Sequence, residues 1–142
     1  MKIYTGEKMK QTNINLLVVH HSASHPETTV EEITKWHIER GFSGIGYTKV
    51  ITNDGIIHNG RPENVVPASV KDHNKNTLAV CLTGSFDRDV PTQWQLISLQ
   101  LQIQEWKTRF PNAKVVGHRQ LGATICPGQN LFDWLQEKYP RG

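Results

Sequence analysis

The chain has 142 residues, 37% of them hydrophobic, with 16 Lys and Arg against 13 Asp and Glu. This suits one folded domain with a single core and excludes a disordered chain. A net charge of +3 with no basic block argues against nucleic acid as a partner, yet is compatible with work on an anionic polymer such as a bacterial wall.

Residues 1–13 read as a loose N-terminal leader. It lacks the apolar stretch of a secretion signal. No segment approaches the roughly 18–20 apolar residues of a membrane span, so no stable membrane insertion is expected. The product is expected in the cytoplasm as made. Residues 15–21 form an apolar run ending in His20 and His21, a strand covered on both faces. Thr29 to Glu32 has the form of a capping box, opening a helix with Val30, Ile33 and Trp36 on one stripe and Gly41 as its stop. His37 lies on or beside that stripe and reads as a satisfied structural histidine. Residues 47–52 and 56–59 flank Asn53, Asp54 and Gly55, a hairpin signal.

Residues 78–83 give another apolar strand, containing Cys81. There a cysteine acts as a small hydrophobe, and a disulfide with Cys126 is not expected. A long helix starts after Pro91, with Leu96, Leu99, Ile103, Trp106 and Phe110 on one stripe, and Pro111 ends it. Residues 114–116 form a short strand. Asn130 is placed to cap a last helix, with Leu131, Trp134 and Leu135 on a shared face. The pattern predicts a single α/β domain: a central mixed sheet of about five strands flanked by three main helices.

Among seven histidines, His20 and His118 fall at the carboxyl ends of predicted strands, where open α/β sheets gather ligands. Cys126 follows His118 within a short loop. Two imidazoles and a thiolate suit zinc, and three protein ligands leave one position open, as in catalytic sites. Strand alternation means that His20 and His21 cannot both face one metal, but spacing does not choose between them.

Several segments, in order, carry a family resemblance: Val18 to Ala23, Gly46-Tyr47, Asn53-Asp54-Gly55, Asn76 to Gly84, Gly117-His118-Arg119 and Cys126-Pro127-Gly128. Together they resemble the zinc-dependent N-acetylmuramoyl-L-alanine amidases of type 2, which share a fold with peptidoglycan recognition proteins, and most of all small phage endolysins. The resemblance implies a catalytic domain over residues 14–142 and one zinc ion per chain, held by His20, His118 and Cys126. It implies hydrolysis of the amide joining muramic acid to the stem peptide, by a water that zinc acidifies. It further implies peptidoglycan as partner, a monomer, and passage to the wall through a holin-type pore. A non-catalytic recognition module is the alternative.

The same resemblance places Tyr47 beside the metal, as a donor to the attacking water or the developing oxyanion. Thr124 stands where phage relatives often carry a lysine, so a positive charge is missing there. Tyr47 and Lys49 share a strand face by alternation, which makes Lys49 a candidate replacement. His21, His73, Asn74 and Asn76 are candidate substrate contacts. Arg119 could bind a stem-peptide carboxylate or serve as a structural ion-pair partner.

Overall fold

A computed structural model describes residues 10–142. Its sheet has five strands in the order β3-β2-β4-β1-β5. β1 (Leu16–His21) lies between β4 (Thr77–Leu82) and β5 (Lys114–Gly117), parallel to both. β2 (Lys49–Ile51) runs parallel to β4 on its other side, and β3 (Ile57–Asn59) is antiparallel to β2. The sheet is therefore mixed, as expected, with its apolar centre in the two longest strands. Leu17 and Val19 of β1 and Leu78, Val80 and Leu82 of β4 pack with Leu99, Ile103 and Trp106 of α2 (Gln93–Arg109) and with Leu131 and Leu135 of α3 (Gln129–Lys138). Val50, on the opposite face of the sheet, packs with Ile33 of α1 (Val30–Glu39). Alternation along each strand thus gives one face to α2 and α3 and the other to α1.

Local sequence explains most element ends. Thr29 caps α1 through both halves of the capping box, and Gly41 follows its end with φ of 96°. Thr92 and Gln95 form a second box at the start of α2. The Gln95 amide also donates to the carbonyls of Ile51 and Thr83, at 3.3 and 3.0 Å, so one buried side chain ties the helix to the ends of two strands. In the hairpin, Asp54 Oδ1 accepts from Thr52 Oγ1 and from the Ile56 N–H. Gly55 has φ of 86°, and a Cβ there would overlap Trp94.

Four expectations change. The apolar stripe of α1 runs through Ile33 and His37, both buried, while Trp36 is 37% exposed. His37 can lie inside because its Nδ1 accepts the Gly46 N–H at 2.8 Å. The hairpin strands are shorter than residues 47–52 and 56–59, and Tyr47 precedes β2. Asn130 does not cap α3. Gly128 does, with φ of 89°, where any Cβ would overlap the Phe86–Asp87 backbone. Asn130 instead donates its N–H to Phe86 and its side-chain amide to Asp89, fastening the helix to that loop.

The leader is the fourth. Residues 1–9 lie outside the described residues, but residue 10 onward is not loose. Lys10 bridges Val65. The buried Gln11 amide donates to the carbonyls of Glu63 and Thr77 and accepts the Thr77 N–H. Cys81 and Cys126 are free and buried. Among the described residues no helix is long and apolar enough to cross a membrane.

Candidate metal centre

β1 and β5 are adjacent and parallel, and Val19 pairs with Gly117. The next residue on each strand is a histidine. His20, near the end of β1, and His118, just past the end of β5, therefore meet at the carboxyl edge of the sheet, with ring centroids 4.9 Å apart. The loop before α3 brings in Cys126. Ligand atoms of His20, His118 and Cys126 all lie within 4.8 Å of one another. Cys126 Sγ is 3.6 Å from His20 Nδ1. A tetrahedral zinc with ordinary Zn–S and Zn–N distances would separate such a pair by roughly 3.5 Å. The other ring nitrogen, His20 Nε2, is buried without a hydrogen-bond partner. Alternation points His21 elsewhere: its Nδ1 accepts the Phe86 N–H at 3.1 Å.

The cysteine loop is held from several sides. The His21 N–H donates to Cys126 Sγ at 3.4 Å, and the Cys126 N–H donates to Thr124 Oγ1 at 3.2 Å. Arg119 donates to the Ile125 carbonyl at 2.7 Å and to Gln129 Oε1 at 2.8 Å, and lies over the Phe132 ring at 4.5 Å. Its backbone N–H bonds the Cys126 carbonyl. Gly117 leaves room for Pro127 and Phe132, which a Cβ would meet.

Electrostatics favour ligation. Burial holds the pKa of His20 well below the ordinary value, and neighbouring His118 adds to the effect. Burial lowers His118 as well. Both imidazoles are thus neutral at pH 7, the form that binds metal. Burial pushes the Cys126 thiol up to about 12, against the opposing pull of the His21 N–H and Arg119. A thiol this reluctant to ionise alone would become a thiolate ligand only with a cation beside it.

The three residues line an open cleft of about 570 Å³, together with Tyr47 and Thr124. The Tyr47 ring centroid is 5.0 Å from that of His20. Burial, then the neighbouring Cys81 and Cys126, raise the Tyr47 pKa well above the ordinary value, so its hydroxyl keeps a proton to donate. Cys81 sits opposite His20 in the β1–β4 register, beneath this pair.

Other expected site residues fall differently. Lys49 does not line the cleft. It belongs to β2, on the Ile51 side of the sheet, and its Nζ donates to Asn59 Oδ1 at 2.6 Å. Tyr47 lies before the strand, so alternation does not bring the two together. Asn76 adopts φ of 60° and passes its carbonyl to the N–H groups of Asn15 and Leu16, which makes it a turn residue. The His73 carbonyl accepts from Thr77 Oγ1, and His73 lines neither the cleft nor the groove beside it. Asn74 does line that groove, while its Oδ1 binds the N–H groups of Ser69 and Val70. His21 borders the cleft with its ring engaged by Phe86. Arg119 is occupied by Ile125 and Gln129. Sequence reading missed Arg40, Ser69, Asp87 and Arg88, all on the cleft walls. Arg40 looks like a helix-end cation, and no local signal marks the others.

Residues 10–129 match the Amidase_2 family, described as N-acetylmuramoyl-L-alanine amidase. The chain belongs to this family. It is 30% identical over 134 residues to the endolysin of Enterobacteria phage K11, covering 89% of each chain. The solved structure of the endolysin N-acetylmuramoyl-L-alanine amidase LysCS from Clostridium intestinale superposes with a TM-score of 0.85 at 30% identity, over 96% of this chain and 91% of that one. Drosophila PGRP-LB gives a TM-score of 0.83 at 28% identity, over 90% and 82%. An endolysin amidase and a peptidoglycan recognition protein are thus both similar to this amidase in fold.

Proposed function

We propose that this amidase is a zinc enzyme. It hydrolyses the amide between N-acetylmuramic acid and the L-alanine of the stem peptide, and serves a phage as an endolysin. The observation that carries the metal assignment is the convergence of His20, His118 and Cys126 within 4.8 Å at the floor of an open cleft. Similarity to a phage endolysin along most of both chains supports the biological role.

His20 Nδ1, a ring nitrogen of His118 and Cys126 Sγ would hold one ion. Bound zinc would supply Lewis acidity and a water of lowered pKa. The chain's own groups do the rest. Tyr47, keeping its proton, would hydrogen-bond through its hydroxyl to the carbonyl oxygen as that oxygen gains charge. Thr124 Oγ1 already accepts the Cys126 N–H, which leaves its proton to donate into the cleft. The His21 N–H and Arg119 stabilise the thiolate from behind. The protein acts as a monomer on peptidoglycan, without nucleic acid or membrane insertion. It is made in the cytoplasm and reaches the wall through a holin-type pore.

A non-catalytic recognition module is the second reading. The retained three-residue donor set weighs against it. Metal analysis of the purified protein separates the two: about one zinc per chain, lost in Cys126→Ala together with stem-peptide release, supports the enzyme. Full activity of the zinc-free protein would refute the assignment.

A further inference from the structure

Cys81 is a fully buried thiol that holds no metal. Its partners on the neighbouring strands are His20 of β1 and Val50 of β2, so its side chain shares the sheet face of the His20 ligand. There the Tyr47 hydroxyl hydrogen-bonds its sulfur. The Cys81 thiol proton is directed to the Leu82 carbonyl, 3.7 Å from Sγ, which leaves the sulfur lone pairs for Tyr47. The rest of Tyr47 is fixed from several sides. Its ring packs against those of His20 and His37, at centroid distances of 5.0 and 5.2 Å. Gly46 before it donates to His37 Nδ1. Thr48 after it donates its N–H to the Ala79 carbonyl at 2.8 Å, and its Oγ1 accepts the Ala79 N–H at 3.0 Å. Tyr47 is thus anchored to β4, the strand that carries Cys81, and its O–H keeps the freedom to rotate.

We propose that Cys81 is a positioning residue for the hydrolysis: its thiol, seated beneath Tyr47 on the sheet face of His20, holds the Tyr47 oxygen in place while the hydroxyl turns to the reacting carbonyl. The proposal rests on the amidase reading and deepens it. A thiol suits this task because it both accepts and donates. At rest Tyr47 donates to Cys81 Sγ. As the carbonyl oxygen gains charge, the Tyr47 O–H turns to it, and the Cys81 S–H turns from Leu82 to the Tyr47 oxygen. Both groups only rotate, and each keeps its proton. Sulfur is a weak acceptor, so the resting bond gives way readily to a charge-assisted one. The chain from S–H through O–H to the oxyanion polarises along its length, and is strongest where the charge is greatest.

Two readouts test this. Infrared spectroscopy assigns the Cys81 S–H stretch as the band lost in Cys81→Ala. That band should shift when Tyr47→Phe removes the hydroxyl. Kinetics on the zinc-loaded protein then completes a double-mutant cycle. Cys81→Ala should lower kcat about fivefold, the scale of one neutral hydrogen bond, at unchanged KM and zinc content. Cys81→Val, which fills the space without a polar atom, should do the same. Either substitution should cost nothing further in the Tyr47→Phe background. A thiol that only fills space would cost kcat equally in both backgrounds. An unmoved S–H band, an unchanged kcat in both Cys81 variants, or a loss that persists in the Tyr47→Phe background would each overturn the proposal. If the wild-type protein releases no stem peptide, the amidase reading falls and the role of Cys81 in turnover falls with it. An active enzyme without the coupling overturns the proposal alone.

Discussion

His20 Nδ1 and Cys126 Sγ lie 3.6 Å apart, though 106 positions separate them in the chain. Two features of the fold produce this contact. The parallel β1–β5 pairing sets His20 and His118 side by side, and the His21 N–H draws Cys126 Sγ to the same strand end. Two neutral imidazoles and a thiol that a cation would ionise make a donor set suited to zinc.

Arg119 tests the support of that arrangement. It holds the Ile125 carbonyl and Gln129 and is not itself on the cleft wall. Arg119→Leu should weaken zinc binding by roughly 10–100-fold, the usual cost of losing an outer contact to a metal ligand. Competition with a chromogenic chelator measures this. A raised KM with unchanged zinc affinity would instead favour the substrate-carboxylate role.

Tyr47 should behave differently. Tyr47→Phe removes one hydroxyl and leaves the metal ligands alone. Turnover should fall by roughly 100-fold, the scale for one oxyanion donor, at unchanged zinc content. Steady-state kinetics with metal analysis on the same sample decides it. Undiminished kcat would remove Tyr47 from the chemistry.

Much of this was legible in the chain. Apolar runs of β1 and β4 and the stripe of α2 are periodic signals that burial later satisfies. The capping box at Thr29 is local chemistry, and the structure keeps it. What failed depended on contacts distant in sequence. Asn130 looks like a cap, but the close approach of Phe86 makes Gly128 the workable residue. Lys49 looks aligned with Tyr47 because alternation holds only inside a strand, and β2 starts at Lys49. His20 and His21 were inseparable by spacing; Phe86 and Cys126, both far away in sequence, set them apart. Arg40 and Ser69 gave no signal, since a cleft wall assembled from a helix end and a loop has no periodicity.

Lys49 gives a prediction of little effect. Its Nζ bonds Asn59 on the hairpin. Lys49→Met should leave turnover within about twofold and change stability by only about 0.5 kcal/mol, as for ordinary surface substitutions. Urea unfolding and peptidoglycan turnover are the measurements. A large loss of kcat would restore Lys49 as the charge that Thr124 lacks.

His37 predicts a pH dependence of stability. Burial lowers its pKa to about 4 in the folded chain, with Arg40 and Arg61 adding smaller effects. The unfolded histidine titrates near 6.5, so between those values the unfolded state binds more protons. Stability from this residue is complete above about pH 6.5, falls as pH drops, and levels below about pH 4. Protonation would also cost the bond that Nδ1 accepts from Gly46. His37→Gln should show a shallower decline across that window in urea unfolding of the zinc-loaded protein. Identical slopes for the two proteins would contradict the account.

Mass spectrometry of peptidoglycan digested by the zinc-loaded protein tests the central claim most directly. The account predicts free stem peptides beginning with L-alanine and glycan strands of unbroken sugar linkages. Peptide release should vanish with chelator and return with added zinc. Cut glycan strands with peptides still attached, or release that persists without metal, would contradict it.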